Sequence, residues 1–325
     1  MRLLYYALIL SLFISVSCSG KKTSLKEAPK YSAITPVNKT SIIILGTIQD
    51  AGSPQIGCNK ECCINLFEHP DKDRKVTSLG LIDVPNKKTY LFEATPDIGV
   101  QMKMLAEYGG KSSKENTDGI FLTHAHIGHY SGLMFLGKEA MDAKDVPIYA
   151  MPRMKEYLSN NGPWSQLVTR NNIELMELQN EEPVQLGINI KVTPFIVPHR
   201  DEYSETVGYK IEGPNKTALF IPDIDKWEKW GKNIVDEIKK VDYAFVDATF
   251  YDSKEINNRD ISEIPHPFIV ESFQQFENLE AADKNKVIFI HFNHTNPVIN
   301  PDSDAAKTII NHGFRIGKIN DVFEL

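Results

Sequence analysis

Cysteine is scarce in this chain, four residues in 325, and unevenly placed: Cys18 stands alone near the N-terminus while Cys58, Cys62 and Cys63 crowd into one loop. With Cys18 set apart, an odd trio cannot pair completely within itself. Clusters of Lys and Arg interleaved with aromatics are absent and the formal net charge is −7, so nucleic acid is not expected as a partner. After the first 18 residues no run is long and apolar enough to cross a membrane. No linker interrupts residues 41–325 and no strict internal repeat is visible, which leaves one sizeable domain as the expectation. Hydrophobic content of 42% and aromatic content of 10% are ordinary for a packed globular core.

What is present begins with a targeting segment. Arg2 supplies positive charge, Leu3 to Val16 is apolar but short of the roughly 20 residues a bilayer needs, and the small residues Ser15 and Ser17 precede Cys18. Cys18, followed by Ser19, Gly20, Lys21 and Lys22, resembles the lipidated cysteine of bacterial lipoproteins, with Ser15 where Leu is usual and Ile14 one place early. Residues 1–18 are therefore expected to be a lipoprotein-type signal peptide, and residues 19–40, polar and aperiodic, a flexible tether. The expected location is outside the cytoplasm, held by lipid to a bacterial membrane on its periplasmic or outer face.

The remainder alternates strands and helices. Ser41–Gly46 reads as a buried strand, and Leu79–Val84 with Thr89–Glu93 as a hairpin turned by Pro85-Asn86-Lys87-Lys88. Ile98, Met102 and Leu105 recur at helical spacing after Pro96-Asp97. Further strands are expected at Ile120–Thr123, Pro147–Ala150, Ile188–Val197, Thr206–Ile211, Ala218–Ile221, Tyr243–Val246 and Val287–His291. Helices are expected at His129–Met141, Arg153–Ser159, Lys226–Lys239 and Ser303–His312. Hairpins mixed with crossovers imply mixed sheets, and two such sheets packed together with helices outside give a four-layer αββα sandwich.

The most informative run is His124-Ala125-His126-Ile127-Gly128-His129, directly after an apolar strand. Imidazoles at i, i+2 and i+5 cannot share a helical face, whereas a tight loop leaving a strand can aim all three at one cavity, where neutral nitrogens bind zinc or iron. A merely polar loop is the bland alternative, but the chain has only nine His in 325 residues. Other candidate ligands also fall at strand ends: His199 after Phe195-Ile196-Val197, Asp223 after Leu219-Phe220-Ile221, and His291 after Val287–Ile290.

With these residues in view, the chain resembles the metallo-β-lactamase superfamily, whose signature His-x-His-x-Asp-His is followed by a His, an Asp and a final His at strand ends. Within it, Ser53-Pro54-Gln55 with Cys58-Asn59, Glu93–Ile98, Val241–Thr249 and His291–Pro297 resemble segments of the branch containing PqqB of PQQ synthesis and the phosphodiesterase PhnP. The resemblance spans residues 41–325 and implies an α/β, four-layer αββα sandwich in a single domain. It makes His124, His126 and His199 ligands of one ion, and His129, Asp223 and His291 ligands of a second, with Asp223 bridging. Gly128 departs from the pattern, because the family's Asp at that place ligates the second ion. The second site is thus expected to lose a donor, and restoring a carboxylate by Gly128→Asp to raise its occupancy. PqqB proteins generally lack the first two histidines and keep that Asp, so this chain carries the opposite half of the motif.

Such a site implies metal-assisted hydrolysis of a phosphodiester or other ester-like bond in a small-molecule substrate. One or two zinc ions are expected, with iron or manganese as alternatives, and Asp223 as the orienting base. Asp225 is close enough in sequence to confuse that assignment, and Asp223 is preferred because it comes first after the strand; the bland alternative is that both cap the helix starting near Lys226. The resemblance further implies a structural zinc on the cysteine trio with His294, three residues after His291; Lys60 occupies the middle Cys position of the pattern, so Cys62 substitutes. A disulfide from Cys58 to Cys62 or Cys63, with one thiol left over, is the competing reading. His266, in Ile264-Pro265-His266-Pro267, is either a pocket residue or a packed loop residue. His69 and His312 are expected at the surface, and Trp164, Trp227 and Trp230 in core or helix faces, with a mobile pocket loop as the alternative for Trp164. Two other functions stay open: a PqqB-like iron-dependent oxidase or hydroxylase acting on an amino acid or peptide, and a non-catalytic metal-binding surface lipoprotein, which Gly128 keeps alive.

Overall fold

The run Ser41–Gly46 (β1) is buried along its whole length. Successive side chains of a strand face opposite ways. Ile42 and Ile44 accordingly enter the layer between two sheets, while Ile43 and Leu45 turn toward the face covered by the helix Ile98–Tyr108. The computed structural model describes residues 34–110, 116–200, 202–257 and 259–325. The expected signal peptide, and the expected tether as far as residue 33, lie outside the described residues.

Residues 35–325 form one compact unit of two seven-stranded mixed sheets. The first runs β14 (Val322–Glu324), β1, β2 (Ser78–Asp83), β3 (Lys88–Phe92), β4 (Gly119–Phe121), β5 (Val146–Ala150) and β6 (Ile173–Glu177). The second runs β13 (Arg315–Ile316), β12 (Val287–Ile290), β11 (Tyr243–Asp247), β10 (Thr217–Ile221), β9 (Val207–Glu212), β8 (Ile190–Ile196) and β7 (Val184–Gly187). Each sheet joins an antiparallel half made of hairpins to a parallel half made of crossovers, β3 to β6 in one and β10 to β13 in the other. Between the sheets pack Phe92, Phe121, Tyr209, Phe220, Phe245 and Phe323, among others. Along β12 the alternation serves both layers, with Ile288 and Ile290 between the sheets and Val287 and Phe289 against the helices. Those helices include Ile234–Lys239, Ile269–Gln275 and Asp304–Asn311. The expected αββα sandwich is the observed one.

Two expected helices are corrected. In place of His129–Met141 the chain forms a short α-turn, Ile127–Tyr130, followed by a 3₁₀ segment, Ser131–Leu136. The Gly132 N–H bonds to the Ala94 carbonyl rather than within a helix, and a Cβ at Gly132 would lie 2.0 Å from the Thr95 carbonyl oxygen, so the backbone is pressed against the end of β3. In place of Lys226–Lys239 a 3₁₀ turn, Trp227–Lys229, precedes the helix Ile234–Lys239. Trp230 is pulled inward, its indole N–H donating to the Ile196 carbonyl, and Asn233 starts the new helix by accepting from the Val235 amide. The strand expected to reach Thr123 ends at Phe121, and that expected to reach His291 ends at Ile290, which frees the histidines for loops. Trp227 and Trp230 are buried among the helix-side residues, whereas Trp164 opens the helix Trp164–Thr169 and packs on Tyr130.

Candidate metal centre

Six strands of the two sheets deliver polar side chains to one rim of the sandwich. His124 leaves β4, His126 and His129 flank and enter the short helix beyond it, His199 follows β8, Asp223 follows β10, Asp247 ends β11 and His291 follows β12. Asp50 arrives from the turn after β1. The Asp223 carboxylate lies at the centre: Oδ1 is 3.2 Å from His199 Nε2 and 3.1 Å from His266 Nδ1, and Oδ2 is 3.4 Å from His124 Nε2, 3.8 Å from His129 Nε2 and 3.9 Å from His126 Nδ1. His291 reaches the same rim through Asp50, whose Oδ1 is 2.8 Å from His129 Nε2 and 3.2 Å from His291 Nε2.

Three sets of donor atoms, each mutually within 4.8 Å, follow from this packing: His124, His126, His199 and Asp223; Asp50, His129, Asp223 and His291; and Asp223, Asp247, His266 and His291. The outward nitrogens of His124 and His291 are hydrogen-bonded by neighbours and that of His129 faces a buried carboxylate, which leaves their Nε2 atoms turned inward. Thr123 Oγ1 is 2.9 Å from His124 Nδ1, Glu93 Oε1 is 3.3 Å from His129 Nδ1, and Thr249 Oγ1 is 2.9 Å from His291 Nδ1. Two residues here, His291 at φ 66° and Glu93 at φ 78°, adopt the left-handed backbone. That conformation costs on the order of 1–3 kcal/mol for a non-glycine residue, so the surrounding structure must impose it.

Electrostatics and satisfaction of polar atoms both favour a cation. Burial alone would raise the Asp223 carboxyl, yet His199 and His266 hold it well below the ordinary carboxylate range. Asp50 behaves alike, with burial opposed by His129 and His291. Burial and the neighbouring His129 hold His124 well below its ordinary value, which keeps this imidazole neutral and able to donate a lone pair. Burial would lower His266 as well, but Asp247 and Asp223 push it up to about 10. His124 Nε2, His199 Nε2 and Asp223 Oδ1 are buried without a hydrogen bond among the described residues. Each such group costs about 1–3 kcal/mol if left unmatched. A divalent ion with nitrogen and oxygen ligands fits this donor set.

The model of the β-lactamase superfamily domain matches residues 88–292, more than half of the chain. The chain belongs to the metallo-β-lactamase superfamily. Coenzyme PQQ synthesis protein B of Acinetobacter baylyi is 26% identical over 291 residues, covering 82% of this chain and 94% of that protein. The same protein of Cupriavidus necator is 23% identical over 303 residues, covering 85% and 97%. Zinc-bound PqqB from Methylobacterium extorquens superimposes with a TM-score of 0.72 at 20% identity over 88% of this chain and all of that one. A diphosphatase of the PhnP family gives 0.61 at 20% identity, over 88% and 97%. The chain is thus a PqqB-like member of the superfamily.

Within this superfamily member the expected residues His124, His126, His129, His199, Asp223 and His291 do converge, and His266, buried, shares a donor set with Asp223, Asp247 and His291. Asp225 does not: its carboxylate accepts from the Lys226 amide and pairs with Lys229 at 2.9 Å. Asp50, Asp247, Thr249 and Glu93 went unassigned in the sequence. Asp247 and Glu93 end or follow apolar strands, a signal of the same kind as that of Asp223; Asp50, in the polar turn Gln49–Gly52, offers none. The expected shortage of carboxylate around His129 is corrected, because Asp50 stands there. Cys58, Cys62, Cys63 and His294 form a separate donor set, with Cys58 Sγ 3.7 Å from Cys62 Sγ and Cys62 Sγ 3.9 Å from Cys63 Sγ. All three thiols are free, and His294 Nδ1 is buried without a hydrogen bond among the described residues. His69 and His312 are exposed, His312 stacking on Phe273.

Proposed function

We propose that this protein is a metal-dependent hydrolase that uses metal-activated water on a phosphodiester or other ester-like bond of a small molecule. The observation that carries the reading is the crowding of five imidazoles and Asp223 at one strand-end rim, with His124 Nε2, His199 Nε2 and Asp223 Oδ1 buried and without a hydrogen bond among the described residues. His124, His126 and His199 are the ligands of one ion, His129 and His291 those of a second, and Asp223 lies between the two sets. What bound ions supply at such a site is hydroxide at neutral pH and polarisation of the scissile bond. Asp223, ionised and buried, orients the attacking water and accepts its proton. His266, raised by the carboxylates of Asp247 and Asp223 and 2.9 Å from Asp247, offers a proton-carrying group beside Asp223. Cys58, Cys62, Cys63 and His294 hold a structural zinc, and residues 1–18 direct export with lipid on Cys18.

A second reading, iron-dependent oxidation of an amino acid or peptide, draws on the set Asp223, Asp247, His266 and His291, since two imidazoles with carboxylate suit non-haem iron. Anaerobic purification, metal analysis and assay of bis(p-nitrophenyl) phosphate separate the two. The hydrolase carries zinc or manganese and cleaves the probe without oxygen. Iron content with substrate-dependent oxygen consumption, and no cleavage of ester probes, overturns it.

A further inference from the structure

We propose that Asp50 is a ligand of the second ion, replacing from a different loop the carboxylate that position 128 lacks. The inference rests on the metal-site reading above and adds a donor that lies outside the histidine motif. Asp50 Oδ1 is placed between His129 Nε2, at 2.8 Å, and His291 Nε2, at 3.2 Å, and Oδ2 is 4.0 Å from His126 Nδ1. Its carboxylate shares one donor set with both of these second-site histidines and Asp223.

Space gives an independent argument. A Cβ built on Gly128 falls 2.3 Å from the Asp50 Cα, 2.6 Å from its Cβ and 2.8 Å from its Cγ. Asp50 therefore occupies the volume that a side chain at position 128 would fill. Gly128 is small because the carboxylate comes from elsewhere, and the two positions exclude each other. A missing ligand and an unexpected one thus share a single cause.

The turn that carries Asp50 is fixed to the second-site strand end. The Gln49 amide donates to the Phe292 carbonyl and the Phe292 amide to the Thr47 carbonyl, so the residues before Asp50 are laced to the neighbour of His291. Gly52, at φ 76°, closes the turn by donating its amide to the Gln49 carbonyl. A carboxylate held this way is preorganised, and its charge and oxygen restore the donor count that Gly128 removes. A purely structural Asp50, pairing two buried imidazoles, is the competing account.

The test uses the full chain loaded with zinc, freed of excess ion, and measured by elemental mass spectrometry, with affinity from chelator competition. Asp50→Ala and Asp50→Asn are each expected to lose one zinc relative to wild type, or to bind that ion at least about 100-fold more weakly, more than outer hydrogen-bond partners contribute. Circular dichroism on Asp50→Asn, which keeps the side-chain shape, separates loss of a ligand from loss of fold. Unchanged zinc content and affinity in a folded Asp50→Asn overturns the proposal in favour of a structural role. Equal zinc in wild type and His126→Ala would instead overturn the metal-site reading on which it stands.

Discussion

Gly128→Ala is the sharpest single perturbation of this centre. The added methyl would lie 2.3 Å from the Asp50 Cα, a backbone atom that no side-chain rotation can move away. Gly128 has no positive φ, so the cost is packing and not dihedral strain. Overpacking of a fixed interior costs about 1–3 kcal/mol, and a domain of this size loses roughly 2–4 °C of Tm per kcal/mol, so a fall of about 2–12 °C is expected. Gly99→Ala is the matched control: it lies in the helix Ile98–Tyr108 with nothing within 4 Å of the added atom, and should be neutral or slightly stabilising. Differential scanning calorimetry on both variants, with and without chelator, reads the effect. The Gly128→Ala deficit should persist in the stripped protein, because the clash needs no ion, while its zinc content falls as Asp50 is pushed off His129 and His291. Gly128→Asp, at first sight a repair of the motif, should be worse still. A Gly128→Ala protein with the wild-type Tm and full zinc would refute the close approach and the reasoning built on it.

Cys63→Ser should release one zinc and lower Tm, since buried thiolates contribute metal-binding energy to folding; elemental analysis beside calorimetry checks both, and an unchanged zinc content refutes the Cys and His site. Glu255 gives a pH signature away from the centre. Burial raises its carboxyl from 4.5 to about 7 against the bonds it accepts from the Tyr251 amide and Thr295 hydroxyl. An acid raised on folding is neutral when the folded protein is most favoured, so stability is present below the ordinary value and is lost as pH rises toward 7, by at most about 3 kcal/mol. Glu255→Gln should therefore raise Tm at about pH 8 and leave it near wild type at about pH 5; a pH-independent difference between the two proteins would contradict the shift.

The fold was legible where strands are buried on both faces. β1, β10, β11 and β12 read as apolar runs because each lies inside a sheet between packed layers. The edge strands β6 and β7 passed unnoticed, since Ile173–Glu177 and Val184–Gly187 are half exposed and their alternation is weak. Helix ends depart from the sequence pattern where tertiary bonds take over the amides, as at Gly132. In the centre, histidines announced themselves by rarity and by position after strands. Asp50 could not, because carboxylates are common in polar turns and its partners His129 and His291 are brought to it only by folding.

His291 and His294 lie on one loop, so the histidine centre and the thiol cluster hold opposite ends of the same four residues. The thiols of Cys58 and Cys62 are 3.7 Å apart, and an oxidant that joined them would evict an ion bound there and slacken its grip on His294. Loss of that anchor would pass along the loop to His291, whose left-handed backbone depends on its surroundings. Oxidation of the thiols would thereby be felt at the histidine centre, although none of its donor residues contains sulfur.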